Sequence, residues 1–156
     1  MSPKRLVLLA GLGSAALLVG AFVFQALGYA PCQMCLWQRW PHGVAIGAML
    51  LGVAGLSLAL SAVLGALAAL VTAGLGAFHT GVERGWWEGP QACSGGGSLT
   101  DLSGADLLST EGAGGVVRCD EVAWALAGLS MASWNAVLSL CLALIWGFVL
   151  LRQRSI

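Results

Sequence analysis

Charge is what this chain has least of. Of its 156 residues 9% are charged and 58% are hydrophobic, against roughly 25% charged in an ordinary soluble domain, which argues against a water-soluble fold. No sign dominates either. Seven basic and seven acidic residues cancel, so net charge indicates neither nucleic acid nor a broadly anionic partner. No flavin, nicotinamide or iron–sulfur motif is recognisable, and no internal repeat is visible. The glycine pairs of Gly11-Leu-Gly13 and Gly43-Val-Ala-Ile-Gly47 follow no strand, which excludes a nucleotide-binding reading. They lie inside apolar runs, where small residues let helices approach.

What is present is long uncharged sequence. Leu6 to Leu27 contains no charge, and 22 residues at about 1.5 Å each cover the roughly 30 Å hydrocarbon core. Trp40 to Val82 is also uncharged and too long for one crossing, so it reads as a hairpin of two spans near 37–57 and 61–80, turning around Ser57 to Ser61. No proline or basic residue marks that turn. Met131 to Leu151 begins after Ser130, a candidate N-cap, and ends at Arg152. The expected fold is an all-α four-helix transmembrane bundle spanning 6–27, 37–57, 61–80 and 131–151, with outer loops at 28–36 and 81–130. Lys4, Arg5, Arg152 and Arg154 flank the termini without acidic company, which places both ends in the cytoplasm. The segment between spans three and four carries all seven acidic residues, Glu83, Glu88, Asp101, Asp106, Glu111, Asp120 and Glu121, and belongs outside. Trp37, Trp40, Trp86, Trp87, Trp124 and Trp134 form an interfacial belt at the outer ends. A signal peptide cleaved after Ala30 is the alternative for span one, but its apolar core exceeds the usual 7–15 residues.

This topology sorts the five cysteines. Cys141 falls within span four and reads as a packing residue. Cys32, Cys35, Cys93 and Cys119 lie in the two outer loops, an even set in a compartment that permits disulfides. Between Cys93 and Cys119 the chain is rich in glycine, as in Ser94-Gly-Gly-Gly-Ser98, and reads as a flexible loop. Three uses compete for the four sulfurs. They could be structural staples, although a glycine-rich loop offers little to stabilise. They could bind zinc, although only Cys32-Gln-Met-Cys35 has the usual spacing. Or the two pairs could exchange electrons, which requires a thiolate to approach a disulfide in line. The surroundings of Cys35 favour exchange: at a helix start the dipole supports a thiolate, and Arg39 lies four residues on, on the same helical face. With no cofactor motif of its own, such a dithiol needs an external oxidant, and its place at a membrane interface, with His79 at the same depth, suits a lipid-soluble quinone. His42 and His79 could instead ligate a haem, but nothing else suggests a haem pocket.

Pro31-Cys-Gln-Met-Cys-Leu-Trp-Gln-Arg-Trp-Pro41, His79-Thr-Gly-Val-Glu-Arg-Gly-Trp-Trp-Glu-Gly-Pro-Gln-Ala-Cys93 and Cys119-Asp-Glu-Val-Ala-Trp124, continuing through Gly128-Leu-Ser-Met-Ala-Ser-Trp-Asn135, resemble in order the bacterial disulfide bond formation protein B family, DsbB. The resemblance covers nearly the whole chain. It implies an inner-membrane, quinone-dependent thiol oxidase that reoxidises a periplasmic thioredoxin-fold protein of the DsbA kind. It further implies that the partner attacks a Cys93–Cys119 disulfide at Cys93, that Cys119 then pairs with Cys32, and that Cys35 is left as the thiolate facing ubiquinone or menaquinone. Arg39 and His79 match the residues beside the quinone. The glycine-rich loop interior and the uncharged inner turn have no counterpart in the family pattern.

Overall fold

The computed structural model describes residues 1–93 and 117–154. Among these residues four helices, α1 (Pro3–Ala26), α2 (Gln33–Val53), α3 (Leu58–Glu83) and α4 (Met131–Arg154), carry the fold. Among the described residues between α3 and α4 lie a 3-10 turn, Gln91–Cys93, and a two-stranded hairpin of β1 (Ala125–Leu126) and β2 (Leu129–Ser130). The strands pair antiparallel, Ala125 with Ser130 and Leu126 with Leu129. Three helices, α1, α3 and α4, are long and apolar enough to cross a membrane. The fourth, α2, is less apolar because Gln38, Arg39 and His42 occupy its first half. Leucines and valines such as Leu12, Val19, Leu67, Leu70 and Leu144 face outward, the exterior expected where lipid rather than water is the solvent.

Helix boundaries follow from local chemistry. α2 closes at Gly55, whose φ of +100° only glycine adopts without strain; there the N–H of Leu56 reaches back to the Leu51 carbonyl at 3.1 Å, sealing the last turn. Ser57 then caps α3, its hydroxyl accepting the N–H of Leu60 at 3.4 Å. The inner turn is therefore Ala54–Ser57, ahead of the 57–61 stretch that the sequence suggests. Ser61 looked like turn material because it is polar. It is buried instead, and its hydroxyl donates to the Ala48 carbonyl of α2, binding the two helices of the hairpin. Ser130 caps α4 as expected, accepting the N–H of Ser133 at 3.1 Å.

α3 packs against α2 and α4, and α1 closes the bundle against those same two helices. The α3–α4 contact depends on Gly76: a Cβ there would lie 2.9 Å from the Ala132 carbonyl oxygen and 3.0 Å from the Ala136 nitrogen, both backbone atoms. One buried cluster, including Val7, Ala10, Met49, Ala62 and Trp146, fills the half of the bundle that holds the termini. There Arg152 donates to the Met1 carbonyl at 3.4 Å, so both chain ends share one face. A second cluster, at the opposite end, is made of Cys32, Met34, Val82, Cys93 and Cys119. Cys141 is exposed on the outer surface of α4 rather than packed inside. Asp101, Asp106, Glu111 and the glycine-rich stretch lie outside the described residues.

Candidate active site

The site grows from the start of α2. Cys32 has extended backbone angles, φ −74° and ψ 170°, and is the N-cap; its Sγ accepts the N–H of Cys35 at 3.3 Å. A cap and the residue three positions on share one side of the first turn, so the CxxC spacing brings the two sulfurs to 2.9 Å. The sequence suggested that Cys35 would hold the helix-terminal position. The helix begins at Gln33, two residues before Cys35, and that advantage passes to Cys32. Its pKa falls to about 4: the hydrogen bond shared with Cys35 lowers it most, burial opposes, and His79 and the Cys35 N–H lower it further. The proton stays on Cys35, whose own pKa is pushed up by the same bond and by burial.

Cys93 and Cys119 form a disulfide, their Cα atoms 5.1 Å apart. The 3-10 turn sets Cys93, the Cys93 N–H bonding the Pro90 carbonyl at 2.7 Å, and the Cys119 N–H donates to the Cys93 carbonyl at 3.3 Å. Both are buried, 2% and 0% exposed, and pack against Cys32. All four sulfurs nominated from sequence thus gather at one end of the bundle. Two of the thiols that a four-cysteine zinc site would need are bonded to each other.

His79, one turn before the end of α3, joins the pairs. Its Nε2 lies 3.6 Å from Cys32 Sγ and 3.2 Å from the Cys119 carbonyl; Glu83, one turn on, stands 4.0 Å away and is itself held by the Ser130 hydroxyl. The other ring nitrogen, Nδ1, meets the Gln38 amide at 3.0 Å. Gln38 continues into a buried polar net: its Oε1 accepts from Asn135 at 2.7 Å, and Asn135 Oδ1 lies 2.9 Å from His42 Nε2. The Thr72 hydroxyl donates to the Gln38 carbonyl at 3.2 Å. Each histidine is engaged with these amides, not turned toward the other as a haem pair would be. Gln38, Thr72, Glu83 and Asn135 escaped the sequence reading. For Gln38, Thr72 and Asn135 the signal was the cost of a polar side chain within an apolar span, which marks an inward-facing partner; Glu83 lies just past span three and carries no such mark.

Arg39 does not contact Cys35. Its guanidinium turns to α1, donating to Gln25 Oε1 at 2.7 Å and to the Ala21 carbonyl at 3.4 Å, with its centre 4.7 Å from the Phe22 ring. Its Nε is buried without a hydrogen-bond partner. Beside it opens a cavity of about 390 Å³ between α1, α2 and α4, reaching Cys32, Cys35, Gln38, Arg39, His42 and His79, with Leu17, Phe24, Trp124 and Trp134 on its apolar walls. The volume is that of a small-molecule site. A largely apolar chamber with the thiol pair and the guanidinium groups of Arg39 and Arg118 on its wall suits a flat ring bearing carbonyl oxygens.

The family model described as disulfide bond formation protein DsbB matches residues 3–149. A protein named disulfide bond formation protein B from Verminephrobacter eiseniae is 38% identical over 96% of this chain and 85% of its own. Proteins of the same name from Albidiferax ferrireducens and Polaromonas naphthalenivorans are each 30% identical, covering 93% and 92% of this chain and 88% and 87% of theirs. No solved structure matches the chain. With a redox-spaced dithiol, a buried disulfide packed on it and this likeness over almost its full length, the chain belongs to the disulfide bond formation protein B family.

Proposed function

We propose that this chain is a four-span thiol oxidase of the bacterial inner membrane, with cytoplasmic termini and periplasmic cysteines. It reoxidises a soluble thioredoxin-fold partner of the DsbA kind and passes the electrons to ubiquinone or menaquinone. The observation that carries this reading is the packing of the Cys93–Cys119 disulfide on the Cys32–Cys35 pair at the edge of the cavity beside Arg39.

The steps balance. A partner thiolate attacks Cys93, breaking its bond to Cys119 and forming a mixed disulfide. Cys119 leaves as a thiolate and attacks Cys32 of an oxidised Cys32–Cys35 pair; the new bond is Cys119–Cys32, and Cys35 carries away the electron pair. The partner's second thiol then displaces Cys93 and departs oxidised, and Cys93 attacks Cys119 to restore the loop disulfide. Cys32 and Cys35 are left reduced. This final pattern, a bonded Cys93–Cys119 beside two free thiols, is the one in the structure. A quinone bound in the cavity would accept two electrons and two protons and return Cys32 and Cys35 to a disulfide. Arg39, on the cavity wall, would hold a carbonyl oxygen, and the apolar walls would exclude water.

Purified protein given a reduced thioredoxin-fold dithiol and a quinone tests the reading by the quinone absorbance. Quinone reduction that stops with Cys35→Ser is expected. No reduction by the wild type, or full activity of that variant, would leave the cysteines as staples of a membrane scaffold.

A further inference from the structure

The hydrogen-bond net beneath the sulfurs fixes which nitrogen of His79 bears its proton. A carbonyl oxygen only accepts, so each carbonyl in the net determines the group facing it. The Gln38 side-chain nitrogen lies 3.2 Å from the Met34 carbonyl and is therefore the NH₂. Its Oε1 receives the Asn135 amide, which the Thr72 carbonyl at 3.4 Å identifies in the same way. The NH₂ of Gln38 also points at His79 Nδ1, so Nδ1 must be a bare lone pair. The opposite edge of the ring gives the same answer independently: Nε2 faces the Cys119 carbonyl and must carry hydrogen. His42 obeys the same logic. Asn135 Oδ1 is turned to its Nε2 and also accepts the Ser139 hydroxyl, while the buried His42 Nδ1 has no partner, as a lone pair tolerates better than an N–H does.

We propose that Gln38 is a positioning residue that locks His79 in the Nε2–H tautomer, so that His79 donates to both Cys32 Sγ and the Cys119 carbonyl. The ring then serves the sulfurs as a hydrogen-bond donor and not as a base, since its one lone pair is closed by Gln38. One N–H shared between Cys32 and the loop backbone keeps the two redox pairs in register through the exchange. The groups facing this N–H are Cys32 and Cys35 from α2, Glu83 from α3 and the Cys119 segment. The value of such a lock to catalysis rests on the relay proposed above; the tautomer itself does not.

Nitrogen-15 NMR of the reduced, full-length protein labelled at histidine reads this directly, with neither partner nor quinone present. The chain has two histidines and both have the same expected tautomer, so no assignment is needed. At pH 8 both rings are expected to show hydrogen on Nε2 and a bare Nδ1; a protonated Nδ1, alone or together with Nε2, in either ring of the wild type would overturn the net as described. Gln38→Glu replaces the facing donor with an acceptor at constant shape and is expected to move hydrogen onto one Nδ1. A folded Gln38→Glu protein that keeps both Nδ1 atoms bare would remove Gln38 from the role, whatever the quinone assay shows.

Discussion

Taken relative to a free thiol, the rate at which iodoacetamide alkylates Cys32 in the reduced protein should be about 100-fold higher at pH 5 than at pH 7. The figure follows from the cap geometry. With a pKa of about 4 in place of 9.0, Cys32 is almost wholly thiolate from pH 5 upward. An ordinary thiol is ionised to about 1 part in 10⁴ at pH 5 and about 1 part in 10² at pH 7. A weaker base is also a weaker nucleophile: with a Brønsted slope of about 0.4–0.5, each Cys32 thiolate should react roughly 10² to 10^2.5 times more slowly. At pH 7 the two effects cancel, and at pH 5 the ionised fraction wins. Burial scales every rate alike, so the flatness of the profile between pH 5 and 8 is the diagnostic, measured by mass spectrometry of the Cys32 peptide after timed quenching. A rate that climbs tenfold per pH unit over that range would show that Cys32 titrates normally and that the cap does not support a thiolate. The linked stability has a definite sign. A depressed pKa contributes fully above about pH 9, less as the pH falls, and nothing below about pH 4, so the reduced protein should lose stability on acidification through that window.

Other outcomes follow from the same geometry. Cys119→Ser should accumulate a partner adduct on Cys93, seen on non-reducing gels and by peptide mapping; an adduct on Cys32 would overturn the order of exchange. Arg39→Met removes a cation from the cavity wall and should raise the quinone KM about tenfold, the scale of one hydrogen bond to a charged group, while single-turnover exchange between the partner and Cys93–Cys119 stays unchanged. Gly76→Leu drives a side chain into the Ala132 and Ala136 backbone and should cost about 1–3 kcal/mol, read as a lower Tm in detergent; an unchanged Tm would mean that the helices separate freely there. Cys141→Ala, on the outer surface, should alter stability by less than about 0.5 kcal/mol.

The helices and the gathering of the cysteines were legible because their signals are local: uncharged runs of spanning length, a CxxC, and an even cysteine count outside the spans. Less legible were features set by rotation about a helix axis. Arg39 shares the face of Cys35 in projection, yet a glutamine on α1 and the Phe22 ring draw its guanidinium away. The start of α2 is set at Gln33, ahead of the expected 37, by a sulfur acting as cap, a role usually filled by oxygen, and this exchanges the expected thiolate from Cys35 to Cys32. Asn135 and Gln38 stand 97 residues apart in the chain, and no spacing rule joins them.

The Cys93–Cys119 bond lies beneath the surface, with the Cys119 carbonyl pinned by a histidine. A thiol approaching from solvent must first part that contact and expose the sulfur, so its rate is the intrinsic exchange rate multiplied by the small fraction of time the site is open. Small thiols, which bring no binding energy with which to hold the open form, are slowed by the whole of that factor. A partner protein whose surface binds the open form recovers it. In the relay proposed above, burial would insulate the oxidising end of the molecule: electrons would enter from a protein that docks, and leak little from small reductants that merely collide.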